Sequence, residues 1–379
     1  MSLPDLNAYA LGATVSVPDE VLVGDPYQRG LAHGRSHGDL IRKCIRRYGR
    51  HPKANAREIS SLVIDIAKNV ECKYPDAMAE LGGIAVGTGL PEETICALNF
   101  VEEIWAQTGG WPEHIGCSNF TELLPELGPV LAHTSDVADG DAPLFVLTES
   151  VQDEDSSYLW LRYAGTLWCA GGLNSAGLAV AGSSVLGREV NEDGIPAFLY
   201  GTLLMSEARN TPEALSLAGG YKPFTGGSNT VVLDESCSGA VVELIGGRTA
   251  RVVNTSIDGQ RLACANHPLD GSTEGIENDE EWLSNSEGRF DFMSAYRMKS
   301  PASLHGVFSM LKTHSPGIVP EDSGVSVGRG LCQHGDKDLH TEASVVLVPQ
   351  QRRLWLTRGR TCQQMFSVTQ LSPRSSRRH

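Results

Sequence analysis

No C-x-x-C pair occurs in this 379-residue chain, although it holds nine cysteines. An odd number scattered from Cys44 to Cys362 fits neither a secreted disulfide scaffold nor a zinc ribbon. Long apolar runs are missing too: nothing approaches the roughly 18 residues of a membrane helix, so no membrane partner is expected. The opening MSLPDLNAYALGATVSVPDE has no basic cluster leading into an apolar core. It is read as lacking a signal peptide, and a cytoplasmic, reducing location is expected. Basic stretches are absent apart from the tail PRSSRRH, and the net charge is −15, which disfavours a nucleic-acid partner. The 41 glycines show no Gly-X-Y period and therefore mark turns and close backbone approaches.

What remains is ordinary globular material, 41% hydrophobic and 20% charged, long enough for a large core. Its texture changes once. Residues 25–49, 56–89 and 90–105 space apolar residues three and four apart, predicting helices. After Cys117 come short β-rich runs broken by turn residues, among them PVLAHTSD, PLFVLTES, SYLWLRYAG, SNTVVLDES and ASVVLVPQ. Helical blocks at 197–220, 285–298 and 300–314 interrupt them, an α+β pattern of antiparallel sheets covered by helices.

The change falls at HIGCSNF, residues 114–120, where a cysteine directly follows a glycine. A half-buried packing thiol is one reading. The other is a nucleophile that becomes a chain terminus by cleavage of the Gly116–Cys117 bond. A terminal cysteine carries its own base, because an α-amine with a pKa near 8 can take the thiol proton. Such a site needs a carboxylate to hold the amine and donors for an oxyanion. A hairpin through PELGP would return Asp136 beside Cys117, and Asn266 in CANHPL could donate from its amide.

Gly116-Cys117, HTSD at 133–136, GGLNSAGLAVAG at 171–182, ANHP at 265–268 and TEASVVLVPQQRRLWLTRG at 341–359 follow one another in an order that resembles the acyl-coenzyme A:6-aminopenicillanic acid acyltransferase family of the N-terminal nucleophile hydrolases. GDPYQRGLAHGRSHG at 24–38 is similar to that family's opening motif, so the likeness covers nearly the whole chain. Insect N-β-alanyl-dopamine hydrolase is similar, and penicillin V acylases and bile-salt hydrolases are more distant. The resemblance implies a single-domain αββα sandwich of two antiparallel sheets between helical layers. It implies self-cleavage into a mainly helical α chain, 1–116, and a β chain, 117–379, that stay associated; a homo-oligomer is left open. Cys117 would be the nucleophile with its amine as base, Asp136 would orient that amine, and Asn266 would help form the oxyanion hole. The substrate would be a small-molecule amide or acyl donor. No cofactor is expected, with a coenzyme A thioester the one co-substrate left open. His133, Ser183, Ser228, His267 and Arg289 are candidate substrate-binding residues, Arg289 because Gln333 stands where relatives place a basic side chain.

Competing signals carry less. His33 and His37, four apart on a helix, lack a glutamate after the first histidine and a third ligand, so no metal is expected. HGDKDLH at 334–340 is read as a solvated connector. A non-catalytic, uncut relative serving as a binding module is the alternative function, and the covalent state of the Gly116–Cys117 bond separates the two.

Overall fold

The computed structural model describes residues 14–49, 56–108, 115–185, 187, 189–246, 251–255, 261–269, 280–298, 300–314, 330–334 and 339–372. Two short strands, β1 (Thr14–Val15) and β2 (Glu20–Val23), precede five helices: α1 (Pro26–Tyr48), α2 (Ala56–Lys73), α3 (Pro75–Thr88), α4 (Glu92–Asn99) and α5 (Val101–Thr108). Then come β3 (Gly116–Leu124), β4 (Gly128–Ala138), β5 (Phe145–Val151), β6 (Ser157–Tyr163), β7 (Gly171–Asn174) and β8 (Leu178–Val185). Helices α6 (Tyr200–Glu207) and α7 (Thr211–Gly220) lead to β9 (Gly227–Asp234), β10 (Gly239–Ile245), β11 (Arg251–Thr255) and β12 (Ala263–Cys264). The described chain ends with α8 (Glu280–Ala295), α9 (Leu304–Leu311), β13 (Leu339–Val348), β14 (Arg353–Arg358) and β15 (Ser367–Gln370).

The strands form two sheets. One runs β1-β15-β14-β13-β4-β3-β12 and the other β11-β10-β9-β8-β7-β6-β5-β2. They face each other through β3, β4 and β13 on one side and β7, β8 and β9 on the other. Side-chain alternation along β4 divides the core. Leu131 joins Val345, Leu347 and residues of helices α1 to α4 in one apolar cluster. Val130 and Ala132 join Phe120, Val346, Phe292 and Phe308 in a second, between the seven-stranded sheet and helices α8 and α9. Burying each such side chain is worth about 1.5–3 kcal/mol. The α+β four-layer architecture expected from the sequence is therefore present, with one difference. The sheets are mixed, because β1 pairs parallel to β15 and β2 parallel to β5. The N-terminal segment thus adds an edge strand to each sheet.

Two expected helices are broken, each for a visible reason. The 56–89 helix stops before Pro75, whose ring fits only a helix's first turn. The 90–105 helix divides after Asn99. That side chain donates to the Ile95 and Gly165 carbonyls at 2.9 and 3.0 Å and accepts from Leu167 N–H at 2.7 Å, tying the 165–167 turn to the helix end.

The glycines of GDPYQRGLAHGRSHG let α1 and α3 cross closely. A Cβ on Gly30 would sit 2.0 Å from the Glu80 carbonyl oxygen, and one on Gly83 would sit 2.2 Å from that of Tyr27. Asp25 opens α1 with a capping box completed by Gln28. The two histidines of this motif serve structure. Buried His33 reaches Glu20 through Nδ1 at 2.8 Å and accepts Gly165 N–H on Nε2 at 2.8 Å. Burial, with Arg162 nearby, lowers its pKa to about 4, so the ring is neutral. His37 lies 3.3 Å from the second Glu20 oxygen, and Arg162 supplies the countercharge at 3.1 Å.

Candidate active site

The β3–β4 hairpin sets the centre of the site. Its register pairs Gly116 with Asp136, Cys117 with Ser135 and Asn119 with His133. Gly116 is tightly surrounded: a Cβ there would lie 3.2 Å from Asp136 Cβ and 3.3 Å from both Asp136 Oδ2 and Arg289 Nη2, so these side chains would have to give way slightly. The glycine before the cysteine lets Asp136 and Arg289 approach this closely.

Three distant segments converge on Cys117. Its backbone N–H donates to Asn266 Oδ1 at 2.7 Å. Arg289, from α8 and only 1% exposed, donates to the Cys117 carbonyl oxygen, to Ser118 Oγ at 2.9 Å and to Asn266 Oδ1 at 2.9 Å. Asn285, one turn earlier on α8, holds the guanidinium by accepting from Nε at 2.8 Å. Asp136 is fully buried, 3.9 Å from Arg289, and accepts the Thr341 hydroxyl on Oδ1 at 2.5 Å. Its other oxygen, Oδ2, has no hydrogen-bond partner. Burial outweighs Arg289 and the hydroxyls and raises the Asp136 pKa to about 6. Burial, followed by the Asp136 carboxylate, also pushes the Cys117 thiol well up, with Arg289 opposing. In the uncut chain this thiol is protonated and 2% exposed.

Cys117 lines a cavity walled by Tyr48, Trp105, Tyr163, Trp168 and Phe198, with Glu102 and Ile115 also on its surface. Its volume is small, about 30 Å³, space for water rather than for a drug-sized molecule. A neighbouring recess shares Glu102, Trp168, Ser184 and Phe198 and is lined by Ser228.

The sequence-predicted residues divide accordingly. Cys117, Asp136 and Asn266 come together, but Asn266 does so differently from expectation. Its Nδ2 donates to the Ser184 carbonyl at 2.9 Å, so it presents its oxygen to the Cys117 nitrogen and keeps one amide N–H for another acceptor. Arg289 braces the Cys117 backbone and does not line the Cys117 cavity. His133 is locked between Asn119 at 2.8 Å and Ser135 at 2.8 Å, with a pKa lowered by burial to about 3, and does not line the Cys117 cavity. Ser183 accepts from Asn119, and His267 is held by Ser286 at 2.8 Å and packs edge-on against Phe290; neither lines the cavity. Thr341, Asn285 and Ser118 were missed. Asn285 and Arg289 share a helix face four residues apart, which was the available signal.

Glu102 and Glu103 add a pH dependence. Burial raises Glu102 to about 7 against the Ser184 hydrogen bond, and raises Glu103, helped by Glu102, to about 8. Unfolded carboxylates are already ionised above about pH 6, so the folded chain binds more protons and its stability falls as pH rises through this window. The lowered histidines act oppositely, but only below about pH 6.5. Thermal melts from about pH 6.5 to 8.5 should therefore show a declining midpoint, with Glu103 contributing on the order of 2 kcal/mol. Glu103→Gln keeps the acceptor for Ala197 N–H (3.0 Å) and should flatten the decline; an unchanged slope would refute this assignment.

Among the described residues no helix is long and apolar enough to cross a membrane. No curated protein matches the chain. Solved structures that resemble it include penicillin V acylase from Agrobacterium tumefaciens, 12% identical over 67% of this chain and 95% of that one with a TM-score of 0.42. A Caenorhabditis elegans ortholog of N-acylethanolamine-hydrolyzing acid amidase is 13% identical over 62% and 93%, with a TM-score of 0.41. A variant conjugated bile acid hydrolase from Clostridium perfringens is 10% identical over 64% and 89%, with a TM-score of 0.36. Likeness this distant carries no argument about activity. The family model of the acyl-coenzyme A:6-aminopenicillanic acid acyl-transferases matches residues 124–360, a stretch that begins downstream of Cys117 and includes Asp136, Asn266 and Arg289. That is well over half of the sequence, and the chain belongs to this acyl-transferase family.

Proposed function

We propose that this chain is a self-processing cysteine enzyme that cleaves a small-molecule C–N amide, or transfers its acyl group, through a thioester. The observation that carries the reading is the Cys117 nitrogen: it sits on Asn266 Oδ1 beside Arg289, while Asp136 Oδ2, which makes no hydrogen bond and lies 3.9 Å from the Arg289 guanidinium, stands beside Gly116.

In the uncut chain Asp136 is the base. It takes the thiol proton, Cys117 Sγ adds to the Gly116 carbonyl carbon, and the Gly116–Cys117 C–N bond breaks as the nitrogen gains a proton. Water then hydrolyses the thioester, leaving the Gly116 carboxylate, a free thiol and a free α-amine. In turnover that amine is the base. Asn266 Oδ1 orients it, the Asp136 carboxylate balances its charged form, and the Arg289 guanidinium opposes that charge and keeps a share neutral. The amine takes the thiol proton, the thiolate adds to the substrate carbonyl, and the proton passes to the departing amine. Water or a second amine resolves the thioester. In the uncut chain the aromatic-walled cavity has room for water only, so an acyl group enters it only once cutting has opened it; its walls would then suit an apolar acyl group, with Glu102, partly protonated near neutrality, as one polar contact.

Intact mass under denaturing conditions tests this. Two species, residues 1–116 and 117–379, are expected from purified protein, eluting together under native conditions. A single full-length species would overturn processing and favour the binding-module alternative.

A further inference from the structure

Away from the nucleophile, His314, Cys332, His334 and Cys362 bring two imidazoles and two thiols together. Four ligand atoms, one from each, all lie within 4.8 Å of one another. We propose that this cluster is a structural zinc site of the Cys₂His₂ type. A tetrahedral zinc with bonds of about 2.0–2.3 Å holds its ligand atoms roughly 3.3–3.8 Å apart, so the four need move little. One separation is already close to that size: His334 Nε2 is 3.2 Å from Cys362 Sγ. The rings of His314 and His334 meet edge to face with centroids 4.4 Å apart.

An independent observation comes from the hydrogen bonding of His314. Its Nδ1 lies 3.0 Å from the Cys332 carbonyl oxygen. Donation to a backbone carbonyl is how a metal-bound histidine fixes its ring and keeps the other nitrogen's lone pair for the ion. Among the described residues two other metal-capable groups hold fewer soft ligands: Glu20 with His33 and His37, and Asp139 with His340 and Glu342, neither containing a cysteine.

The metal would staple three separate pieces of chain: the turn after α9, the 330–334 segment and the turn that follows β14. The middle piece reaches the candidate active site. Gln333 N–H donates to Thr341 Oγ1 at 2.8 Å, and Thr341 N–H returns to the Gln333 carbonyl at 2.8 Å. The same Thr341 hydroxyl holds Asp136. Zinc would therefore be a positioning element for the Asp136 strand, with no contact to substrate.

The test is metal content of the full-length protein purified under reducing conditions without chelator. About one zinc per chain is expected by elemental analysis. Exchange for Co²⁺ should give the thiolate-to-cobalt charge-transfer band and intense visible bands of a tetrahedral site. Exposed His314→Ala and half-buried Cys362→Ser should each lose the metal while keeping the wild-type circular dichroism, and Cys72→Ser, at an exposed cysteine outside the cluster, should retain it. Absence of stoichiometric zinc, a Cys332–Cys362 disulfide in the purified protein, or full metal content in both cluster variants would each overturn the proposal.

Discussion

Cys117→Ala gives a folded, full-length chain with no self-cleavage and no turnover. The side chain is buried, so removing one sulfur costs about 1 kcal/mol, which lowers the melting temperature slightly without unfolding the protein. A packing role predicts only that small loss, and an intact nucleophile elsewhere would leave activity in place. Cys117→Ser separates the steps further. Serine fits the same space and keeps the hydrogen bond from its backbone N–H to Asn266 Oδ1, but its alkoxide is far harder to form beside Asp136 or an amine. Slow or partial cutting is expected, with amidase activity severely reduced. Iodoacetamide provides the third readout. In the uncut chain the thiol is buried and held protonated, so it should resist alkylation; after cutting, Ile115 and Gly116 no longer continue into Cys117, and the new amine draws off its proton. Selective labelling of Cys117 in the cleaved form, ahead of the other eight cysteines, follows. Full activity in the serine variant, or an inert thiol in cleaved protein, would end this mechanism.

What could be read from the residues depended on sequence distance. The return of Asp136 beside the Gly116–Cys117 bond was legible because the PELGP turn makes a hairpin, whose register pairs Asp136 with Gly116 and Ser135 with Cys117. The layered α+β architecture was legible because helical spacing gives way to hairpin-linked strands at one point in the chain. Arg289 was named for a substrate acid, and what its guanidinium touches here is the Cys117 carbonyl, Ser118 and Asn266. Its distance from Cys117 in the fold is set by how α8 docks across β3 and β12, a contact between segments far apart in sequence. His133, named for substrate binding, shows a related limit. A histidine on a strand near a nucleophile suggests chemistry, yet its register partner is Asn119, and together with Ser135 that asparagine occupies both ring nitrogens. Asn266 shows the finest limit. Sequence placed the amide in the site, but only the Ser184 carbonyl decides which end of it faces Cys117. Thr341 opened a quoted strand and drew no attention, because a threonine that tunes a carboxylate looks like any other β residue.

Asp136→Asn is expected to slow both processing and turnover by about 10²–10⁴-fold, the usual contribution of a positioned acid–base group. Asparagine preserves the volume and the oxygen that accepts from Thr341, so the β3–β4 pairing and the fold remain. What goes is the negative charge, in the two places where it is needed. Before cutting, Oδ2 stands beside Gly116 with no hydrogen bond of its own, and the amide nitrogen that replaces it cannot accept the thiol proton. After cutting, the ammonium form of the Cys117 terminus loses its counter-ion, and Arg289 is left as the dominant charge beside it. A pH profile distinguishes this from simple distortion. Burial puts the Asp136 pKa at about 6, and only the ionised carboxylate can act as base, so the wild-type processing rate should climb as pH rises through about 6 and then level off. In Asp136→Asn that rising limb should vanish along with most of the rate. Thr341→Val removes a hydroxyl that favours the ionised form, and should shift the limb to higher pH while leaving much of the plateau. A wild-type rate in Asp136→Asn, or a rising limb that survives it, would mean that Asp136 only pairs strands and that another group takes the Cys117 proton.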